Sequence, residues 1–371
     1  MEFTIKRDEL QLALYLTQGV VERRTPVPIL AHVMLTTEAD ALIVAATDQQ
    51  IGVRRRCVAR VKHKGSATAN GRMLYDIVRE LPDGDVSVRS LENHWLEIAG
   101  GKSRFKVVGI DPQEFPAMPK MPREGDKQVQ TLPAGIMGEM IKRSAFAVSL
   151  DETRVNLSGV FLERLEGGLV RMVATDGHRL AMVTRTVDGV SSAPGVILPR
   201  KGVMELKRLL ESGDDEGVVM SAKGSVVHVA RGAVELSMRL VEGEFPDYKQ
   251  VVPAGPTRRV TVELEVLQAA LRRVSLVSSE ISHGVRLSVE AGKLRLSSIN
   301  PDRGEAEEEV EVEFDGEAIV VGFNAKYLLE VLDVMTPGCR VELGLGDELS
   351  PGVVQADDDQ NFTYVVMPMR L

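Results

Sequence analysis

Apolar residues recur along the chain with two different spacings, and segments of the two kinds alternate. Six segments place an apolar residue at every third or fourth position, which predicts amphipathic helices over 8–20, 71–84, 133–148, 200–217, 263–278 and 324–338. The stretches between them alternate apolar and polar residues, as over 218–229 and 285–296, which predicts antiparallel strands. Together these patterns predict an α+β fold.

The order of helices and strands is repeated three times. A strand-like run closes on a turn in each copy, and the turns begin 128 and 124 residues apart, at Asp48, Asp176 and Asn300. Phe115-Pro116 and Phe245-Pro246 also lie 130 residues apart. A long fixed period indicates repeated structural units. We therefore predict three domains, at 1–126, 127–254 and 255–371. Their boundaries should lie near 122–128, which is rich in Pro, Gly and charged residues, and near 253–257.

Composition excludes several classes of protein. The 371 residues are 44% hydrophobic, and no apolar run is long enough for a membrane-spanning helix. A formal charge of −9 argues against general adhesion to nucleic acid, and 4% aromatic residues argue against a base-stacking platform. Cys57 and Cys339 form no disulfide framework or zinc motif, and no signal-peptide pattern follows Met1. We therefore expect a cytoplasmic protein.

No arrangement of residues typical of an active site is present. The sequence lacks a Gly-rich phosphate loop, a G-x-S-x-G turn and an H-E-x-x-H motif, and its six histidines are scattered singly. Asp176, His178 and Arg179 bring an acid, a base and a cation to one turn, but the other two copies of that turn lack this set. We interpret the turn as structural or as a binding rim, and expect no catalytic residue, metal or cofactor.

Basic residues recur on the predicted helices away from the apolar stripe. Projection at 100° per residue shows this arrangement on five of the six helices. For one helix a solvated face is the simpler explanation, and acidic residues such as Asp76 and Glu139 share these helices. Recurrence in equivalent copies favours a common surface that faces a polyanion such as DNA. The residues are Arg72, Arg79, Lys142, Arg143, Lys201, Arg208, Arg272, Arg273 and Lys326.

Several motifs resemble those of one family along the full chain. These are VATDGHRLA from Val173, LPRKGV from Leu198, FPDY from Phe245 and YVVMPMRL from Tyr364. They closely resemble the bacterial sliding clamps, the beta subunits of DNA polymerase III. The resemblance implies three clamp domains per chain and a head-to-tail homodimer that closes into a six-domain ring around duplex DNA. It also implies a processivity factor without enzymatic activity, which tethers the catalytic subunit of DNA polymerase III, the clamp loader and other proteins with a clamp-binding motif.

The resemblance also implies three sets of site residues. A partner-peptide pocket would include Leu157, Thr175, Gly177, His178, Arg179, Leu180, Pro246, Val251, Val365, Met367, Pro368, Met369, Arg370 and Leu371. His178 and Arg179 would form its polar rim. The dimer interface would bring Ile77, Leu81 and Phe105 of one chain against Leu276 and Val277 of the other, and Arg24 and Arg154 would lie on loops near the duplex. Gln250 replaces an arginine that some members carry beside the pocket, and Val155 and Asn156 replace aromatic residues near the duplex.

Two other functions stay open: a three-repeat interaction scaffold that does not contact DNA, and an enzyme that uses the Asp176 turn. The basic helix faces favour the clamp over the scaffold, and the missing catalytic motifs disfavour the enzyme. The geometry of a ring is also reasonable. Twelve helices spaced about 10 Å apart line a circle of about 120 Å. With a helix diameter of about 10 Å the hole is roughly 28 Å wide, which accepts a duplex.

Overall fold

The structure, a computed structural model, describes residues 1–21, 25–119, 129–211, 217–253, 255 and 257–370. Within these residues the chain forms six α-helices and 25 β-strands. All strand pairs assigned there are antiparallel. The predicted α+β class is confirmed, and each predicted helix is present with ends that differ by a few residues. No helix in the described ranges is long and apolar enough to cross a membrane.

The three sequence copies have closely similar element orders. The first contains β1 Glu2–Lys6, α1 Arg7–Thr17, β2 His32–Glu38, β3 Ala41–Thr47, β4 Ile51–Val58, β5 Arg60–His63, β6 Gly65–Asn70, α2 Gly71–Glu80, β7 Asp85–Ser90, β8 Trp95–Gly100 and β9 Ser103–Val108. The second contains β10 Val129–Leu132, α3 Ala134–Ser144, β11 Gly159–Arg164, β12 Leu169–Thr175, β13 Arg179–Thr186, β14 Ala193–Pro199, α4 Arg200–Glu211, β15 Val218–Lys223, β16 Val226–Arg231 and β17 Val234–Arg239. The third contains β18 Arg258–Glu263, α5 Leu264–Ser275, β19 Gly284–Glu290, β20 Lys293–Asn300, β21 Gly304–Glu311, β22 Ile319–Asn324, α6 Ala325–Leu332, β23 Arg340–Leu345, β24 Gly352–Ala356 and β25 Asp359–Val366.

The chain divides into two compact units, Met1–Gly138 with Lys201–Leu240 and Glu139–Arg200 with Val241–Leu371. The first unit contains a five-stranded sheet, β5-β1-β7-β8-β9, and an eight-stranded sheet, β10-β15-β16-β17-β4-β3-β2-β6. The second contains an eight-stranded sheet, β14-β11-β12-β13-β25-β24-β23-β18, and a four-stranded sheet, β21-β20-β19-β22. The second sequence copy therefore contributes strands to both units.

Each eight-stranded sheet joins two sequence copies at one strand pair. In the first unit β17 pairs with β4, with Leu236 opposite Val53. In the second unit β13 pairs with β25, with Leu180 opposite Val365. Strands of neighbouring copies therefore form one continuous sheet within each unit. The domain boundaries at 126 and 254 stay predictions, and residues 122–128 lie outside the described part of the chain.

Asparagine caps the second helix of the first and third copies. The side chain of Asn70 accepts a hydrogen bond from the Met73 N–H of α2 at 3.0 Å. Asn324 accepts from the Lys326 N–H of α6 at 2.9 Å. Such a cap contributes about 1 kcal/mol, since it satisfies an N–H that has no partner within the helix. Leu74 buries the apolar face of α2 as predicted, but Met73 is exposed, so that face is narrower than the sequence pattern predicts.

Candidate functional site

A small apolar cavity of about 250 Å³ lies in the second unit, where β12 turns into β13 beside the end of β25. We call it the tail pocket because residues just beyond β25 form one of its walls. Its lining is mostly aliphatic, with one aromatic ring and one arginine. The lining residues are Leu157, Thr175, Gly177, Arg179, Leu180, Pro246, Tyr248, Val251, Val365 and Met367.

Hydrogen bonds within the β12–β13 turn fix the mouth of the tail pocket. The Thr175 hydroxyl donates to the Arg179 carbonyl at 2.6 Å. The Asp176 carboxylate accepts from the N–H groups of His178 at 2.9 Å and Arg179 at 3.1 Å. Gly177 occupies this turn with a φ of +89°, a conformation that favours glycine. Asp and Gly are among the residues that tight turns favour, and a Thr hydroxyl can bond to the backbone of the turn.

The floor of the tail pocket is a buried cluster of Val173, Leu180, Tyr248 and Val365. Leu180 and Val365 are directly opposite each other on β13 and β25, which come from different sequence copies. Beyond β25 the Met367 N–H donates to the His178 carbonyl at 2.8 Å and holds the tail against the turn. An apolar side chain that enters this cavity would leave water on all sides, and such burial is favourable by about 25 cal/mol per Å².

Arg179 is a buried wall of the tail pocket, so the expectation that it forms a polar rim is wrong. Its guanidinium donates to the Asp176 carboxylate at 3.1 Å and to the Phe146 carbonyl at 2.7 Å, and pairs with Glu330. It also lies 4.4 Å from the ring centre of Tyr327 on α6. The carboxylates and rings around this cation compensate its burial. Turn position alone does not reveal this, because Glu330 and Tyr327 come from the third copy.

Nine residues of the predicted pocket set line the cavity, and Tyr248 is a tenth that the sequence reasoning missed. The signal for Tyr248 was the FPDY motif, in which only Pro246 was assigned to the pocket. His178 is exposed on the turn, and within the described residues it is not part of the lining. Pro368, Met369 and Arg370 continue from the wall without lining the cavity, and Leu371 lies outside the described residues.

Most of the predicted basic positions are exposed. These are Arg72, Arg79, Lys142, Arg154, Arg272, Arg273 and Lys326. Several of them pair with neighbouring carboxylates, as Arg272 does with Asp333 at 2.8 Å. Exposed pairs of this kind are worth roughly 0–1 kcal/mol, so such side chains can exchange their carboxylate for a phosphate. Arg24 lies outside the described residues.

Arg143 is buried, and the expectation that it projects into solvent is wrong. It pairs with Asp359 at the start of β25 and with Glu139 one helical turn earlier at 3.2 Å. Its guanidinium also lies 5.3 Å from the ring centre of Phe362. Helical projection placed Arg143 correctly away from the apolar stripe of α3. It could not show that a strand of the third copy covers that side.

Lys201 and Arg208 on α4 are half-buried rather than free on a helix face. Lys201 pairs with Asp48 in the β3–β4 turn, and Arg208 pairs with Glu205 at 2.9 Å. Burial raises the pKa of the Glu205 carboxyl, although Arg208 opposes that shift. The Lys201 pair connects α4 to the β3–β4 turn, and the Arg208 guanidinium lies 5.8 Å from the ring centre of Tyr15 on α1, so both basic residues have structural contacts within the first unit.

Comparison with known proteins identifies the family. Family models of the DNA polymerase III beta subunit match the chain as an N-terminal domain at residues 1–119, a central domain at 131–247 and a C-terminal domain at 249–370. The beta sliding clamp of Caulobacter vibrioides is 38% identical to this chain over 100% of both proteins. The chain belongs to the beta sliding clamp family. The clamp of Escherichia coli is 33% identical, again with 100% of each chain covered.

Solved structures agree with this assignment. The crystal structure of the DNA polymerase III subunit beta from Pseudomonas aeruginosa matches with a TM-score of 0.93, 36% identity and 100% coverage of both chains. A sliding clamp from the same organism bound to griselimycin matches equally well, with a TM-score of 0.93 and 36% identity over 100% of both chains. The function of this sliding clamp family member is therefore that of a DNA sliding clamp for DNA polymerase III.

Two sheet edges of this clamp carry opposite charge. At the edge of the five-stranded sheet, β9 presents exposed Arg104, Phe105 and Lys106. At the edge of the four-stranded sheet, β21 is strongly acidic, with Glu305 and Glu311 exposed at its two ends. Within the described residues, β9 pairs only with β8 and β21 only with β20. Both strands therefore lie at the edges of their sheets.

The predicted interface residues differ in exposure. Leu276 is 75% exposed and Phe105 is 37% exposed, as interface residues of a lone chain are expected to be. Ile77 and Val277 are half-buried. Leu81 is only 4% exposed, so the expectation that it faces a partner is wrong. It packs within its own unit, where a Cβ at Gly100 would lie 3.1 Å from a Leu81 methyl.

One group of potential metal ligands is present among the described residues. Ligand atoms of Cys339, Asp357 and Asp358 lie within 4.8 Å of one another. Burial and the two aspartates raise the pKa of the Cys339 thiol to about 11. Asp357 and Asp358 are exposed, and exposed acidic groups of this kind are common in proteins without a bound metal. This group gives no support to a metal centre.

Proposed function

We propose that two copies of this clamp close head to tail into a ring around duplex DNA and present the tail pocket to partner proteins. The ring is non-catalytic and makes DNA polymerase III processive by tethering its catalytic subunit to the template. The clamp loader and other proteins with a clamp-binding motif use the same pocket. The observation that carries this proposal is the pair of oppositely charged sheet edges, β9 and β21.

An open sheet edge offers unpaired backbone groups to another strand. Two β21 edges would repel each other, because glutamates would face glutamates across the new pair. A β9 edge with Arg104 and Lys106 attracts a β21 edge with Glu305 and Glu311. Contact between unlike edges is heterologous, and such contacts close into a ring when the rotation allows it. Family membership supports closure with two chains.

The hydrophobic part of this interface would come from exposed Phe105 and Leu276. Ile77 and Val277, both half-buried, would lie around them. We expect the Leu276→Asp variant to sediment as a monomer, because a dimer would have to bury an unpaired carboxylate. A dimer that survives this substitution would remove the proposed interface.

Contact with DNA would be electrostatic and independent of sequence. Phosphates would exchange with the carboxylates that now pair with exposed arginines such as Arg72 and Arg272. Direct binding is expected to be weak and to decrease steeply with salt, because topology rather than affinity retains the ring. A cytoplasmic location is supported by the absence of a disulfide: Cys57 and Cys339 are both free and buried.

The experiment that tests this function separates topology from affinity. The protein is loaded by its clamp loader onto nicked circular DNA, the complex is isolated by gel filtration, and half of it is linearised with a restriction enzyme. A ring stays on the circle and is lost from the linear molecule. Retention on both would indicate ordinary binding, and retention on neither would favour an interaction scaffold that does not encircle DNA.

Leu276→Asp is the matched control for this loading experiment. A monomer cannot close a ring, so we expect the variant to be absent from the circular DNA even though its other surfaces are unchanged. If Leu276→Asp were monomeric and still retained on the circle, closure by two chains would not be the mechanism of retention.

A further inference from the structure

A row of polar side chains lies behind the tail pocket on one face of the second unit's large sheet. In the register of β11, β12 and β13, Glu163 is opposite Arg171, and Arg171 is opposite Thr184. Side chains at directly opposed positions stand on the same face and can contact one another. The Arg171 guanidinium lies 3.5 Å from the Glu163 carboxylate and donates to the Thr184 hydroxyl at 2.9 Å. Neither Glu163 nor Arg171 lines the pocket.

Tyr248 connects this polar row to the tail pocket. Its hydroxyl accepts a hydrogen bond from the Arg171 guanidinium at 2.9 Å and donates one to the Glu163 carboxylate. Tyr248 is only 5% exposed as a residue and forms part of the pocket lining. Because a phenol has a single proton, donation to Glu163 leaves none for a ligand. Within the pocket Tyr248 therefore acts through its ring.

The Tyr248 ring is also held from the side by two other rings. It lies 6.4 Å from Phe245 at 62° and 6.4 Å from Phe161 at 57°. Phe161 and Phe245 are stacked on each other, 4.9 Å apart. Burial and the hydrogen bond with Glu163 raise the pKa of the Tyr248 hydroxyl, which keeps its proton in place as a donor. The orientation of this ring is thus fixed at its edge by aromatic contacts and at its tip by two hydrogen bonds.

We propose that Glu163 and Arg171 are positioning residues of the tail pocket, which act on bound peptides only through the hydroxyl of Tyr248. This inference rests on the proposed function, in which the tail pocket binds partner peptides. The cavity is small, about 250 Å³, so a tilt of one ring in its wall removes space that an apolar anchor needs. Loss of either partner of the hydroxyl frees the ring to tilt.

A double-mutant cycle tests this proposal on the full-length protein. The probe is a short synthetic peptide with a Leu-Phe pair, titrated by calorimetry. We expect Tyr248→Phe and Glu163→Ala each to weaken binding about tenfold, the effect of one hydrogen bond to a charged group. The double variant is expected to lose about tenfold as well, because Glu163 has nothing to position once the hydroxyl is gone. A hundredfold loss in the double variant, or full affinity in Glu163→Ala, would overturn the proposal.

A spectroscopic measurement reports the environment of the Tyr248 ring in the absence of peptide. The chain has only five tyrosines, so 3-fluorotyrosine labelling gives few ¹⁹F resonances, and Tyr248→Phe assigns the one of interest. We expect Glu163→Ala to shift this resonance. Glu342→Gln, which disrupts the pair of half-buried Glu342 with exposed Arg259 elsewhere in the same sheet, is the control and should leave the resonance in place.

Peptide titration and the ¹⁹F resonance distinguish failure of the proposed function from failure of the positioning role. If the wild-type protein does not bind the peptide, the proposed role of the pocket fails, whereas the ¹⁹F resonance still reports whether Glu163 holds the ring. An unshifted resonance in Glu163→Ala would overturn the positioning role even if peptide binding is normal.

Discussion

The turn at Asp48 in the first unit and the turn at Asp176 in the second share one pattern of hydrogen bonds. The Thr47 hydroxyl donates to the Ile51 carbonyl at 2.8 Å, as Thr175 does to Arg179 at 2.6 Å. The carbonyl of Gln50 accepts from the Arg239 N–H at 2.8 Å. The carbonyl of His178 accepts from the Met367 N–H at the same distance. The same backbone arrangement therefore occurs twice in the chain, once at Asp48 and once at Asp176 beside the tail pocket.

The side chains on this shared backbone are different. Where the second unit has Leu180, the first has Gly52, and the methyl end of Met118 lies 2.5 Å from the position of a Cβ there. Met118 follows Phe115-Pro116 at the spacing that Tyr248 has from Phe245-Pro246. In the first unit Met118 therefore lies against the position that a floor side chain would occupy, and Leu180 fills that position in the second unit. The difference teaches that one repeated backbone can carry two different sets of lining side chains.

The largest expected effect is that of removing the tail. Deletion of Met367 to Leu371 takes away one wall of the pocket, including the side chain of Met367. We expect the affinity for a Leu-Phe peptide to fall about 100-fold or more, since anchors of this kind dominate binding. Calorimetry measures this loss. Sedimentation should show an unchanged dimer, because the proposed interface residues lie elsewhere.

Substitution of the residue at the floor should change peptide affinity in the second unit but not in the first. Leu180→Ala opens a gap under the anchor of the peptide, and we expect an affinity loss of about 10- to 30-fold. The matched variant Gly52→Leu displaces the methyl end of Met118 in the first unit and should leave the affinity unchanged. Peptide titrations of both variants make the comparison. An equal loss in both would show that the first turn also binds peptide.

A smaller effect, on the free energy of unfolding, is expected from the residue with a positive φ in each turn. Gln49 has a φ of +73°, whereas the corresponding Gly177 has a φ of +89°. A residue with a Cβ in this region costs about 1–2 kcal/mol. We expect Gln49→Gly to raise the free energy of unfolding by about 0.5–1 kcal/mol, and Gly177→Gln to lower it by about 1 kcal/mol, in denaturant titrations. Effects of opposite sign to these would show that the two turns are not equivalent.

The smallest effect concerns the glutamate at the sixth position of one helix in each unit. On α6, Glu330 pairs with Arg179 of the turn. On α4, the corresponding Glu205 is buried with Arg208, and burial raises its pKa above 4.5. A raised pKa means that the folded state holds the proton more tightly. The free energy of unfolding of the wild type should therefore fall relative to that of Glu205→Gln as the pH rises from about 4.5 to the raised pKa. Unfolding measured at several pH values gives this difference. No change in the difference between pH 4 and 7 would contradict this.

The sequence predicts the helices, the strands and the turns well, because these depend on periodicity and turn residues that are local. It also brings Leu180, Val365 and Met367 to one pocket through the family resemblance. The sequence does not show that β17 pairs with β4 and β13 with β25 as the joints of two compact units. Registers between distant strands depend on which faces are buried together, and no single segment contains that information.

Two of the wrong expectations, those for Arg143 and Arg179, share one physical cause. Projection of α3 gives the angle of Arg143 about its own helix axis, but Asp359 and Phe362 of another copy decide that this angle is buried. Arg179 is a wall for the same reason, because Glu330 of the third copy receives its charge. The hydrogen bond from Tyr248 to Glu163 joins residues 85 positions apart, so the sequence does not show this contact either.

The number of peptides bound per chain tests most directly whether only one of the two equivalent turns forms a partner site. Calorimetric titration of the intact dimer with a Leu-Phe peptide should give one site per chain with a Kd of roughly 1 μM, since a flexible peptide loses conformational entropy on binding. The same titration of Leu180→Ala should reduce the affinity of that single site. Two sites per chain, or one site that Leu180→Ala leaves unchanged and Gly52→Leu abolishes, would contradict the assignment of the partner site to the second unit.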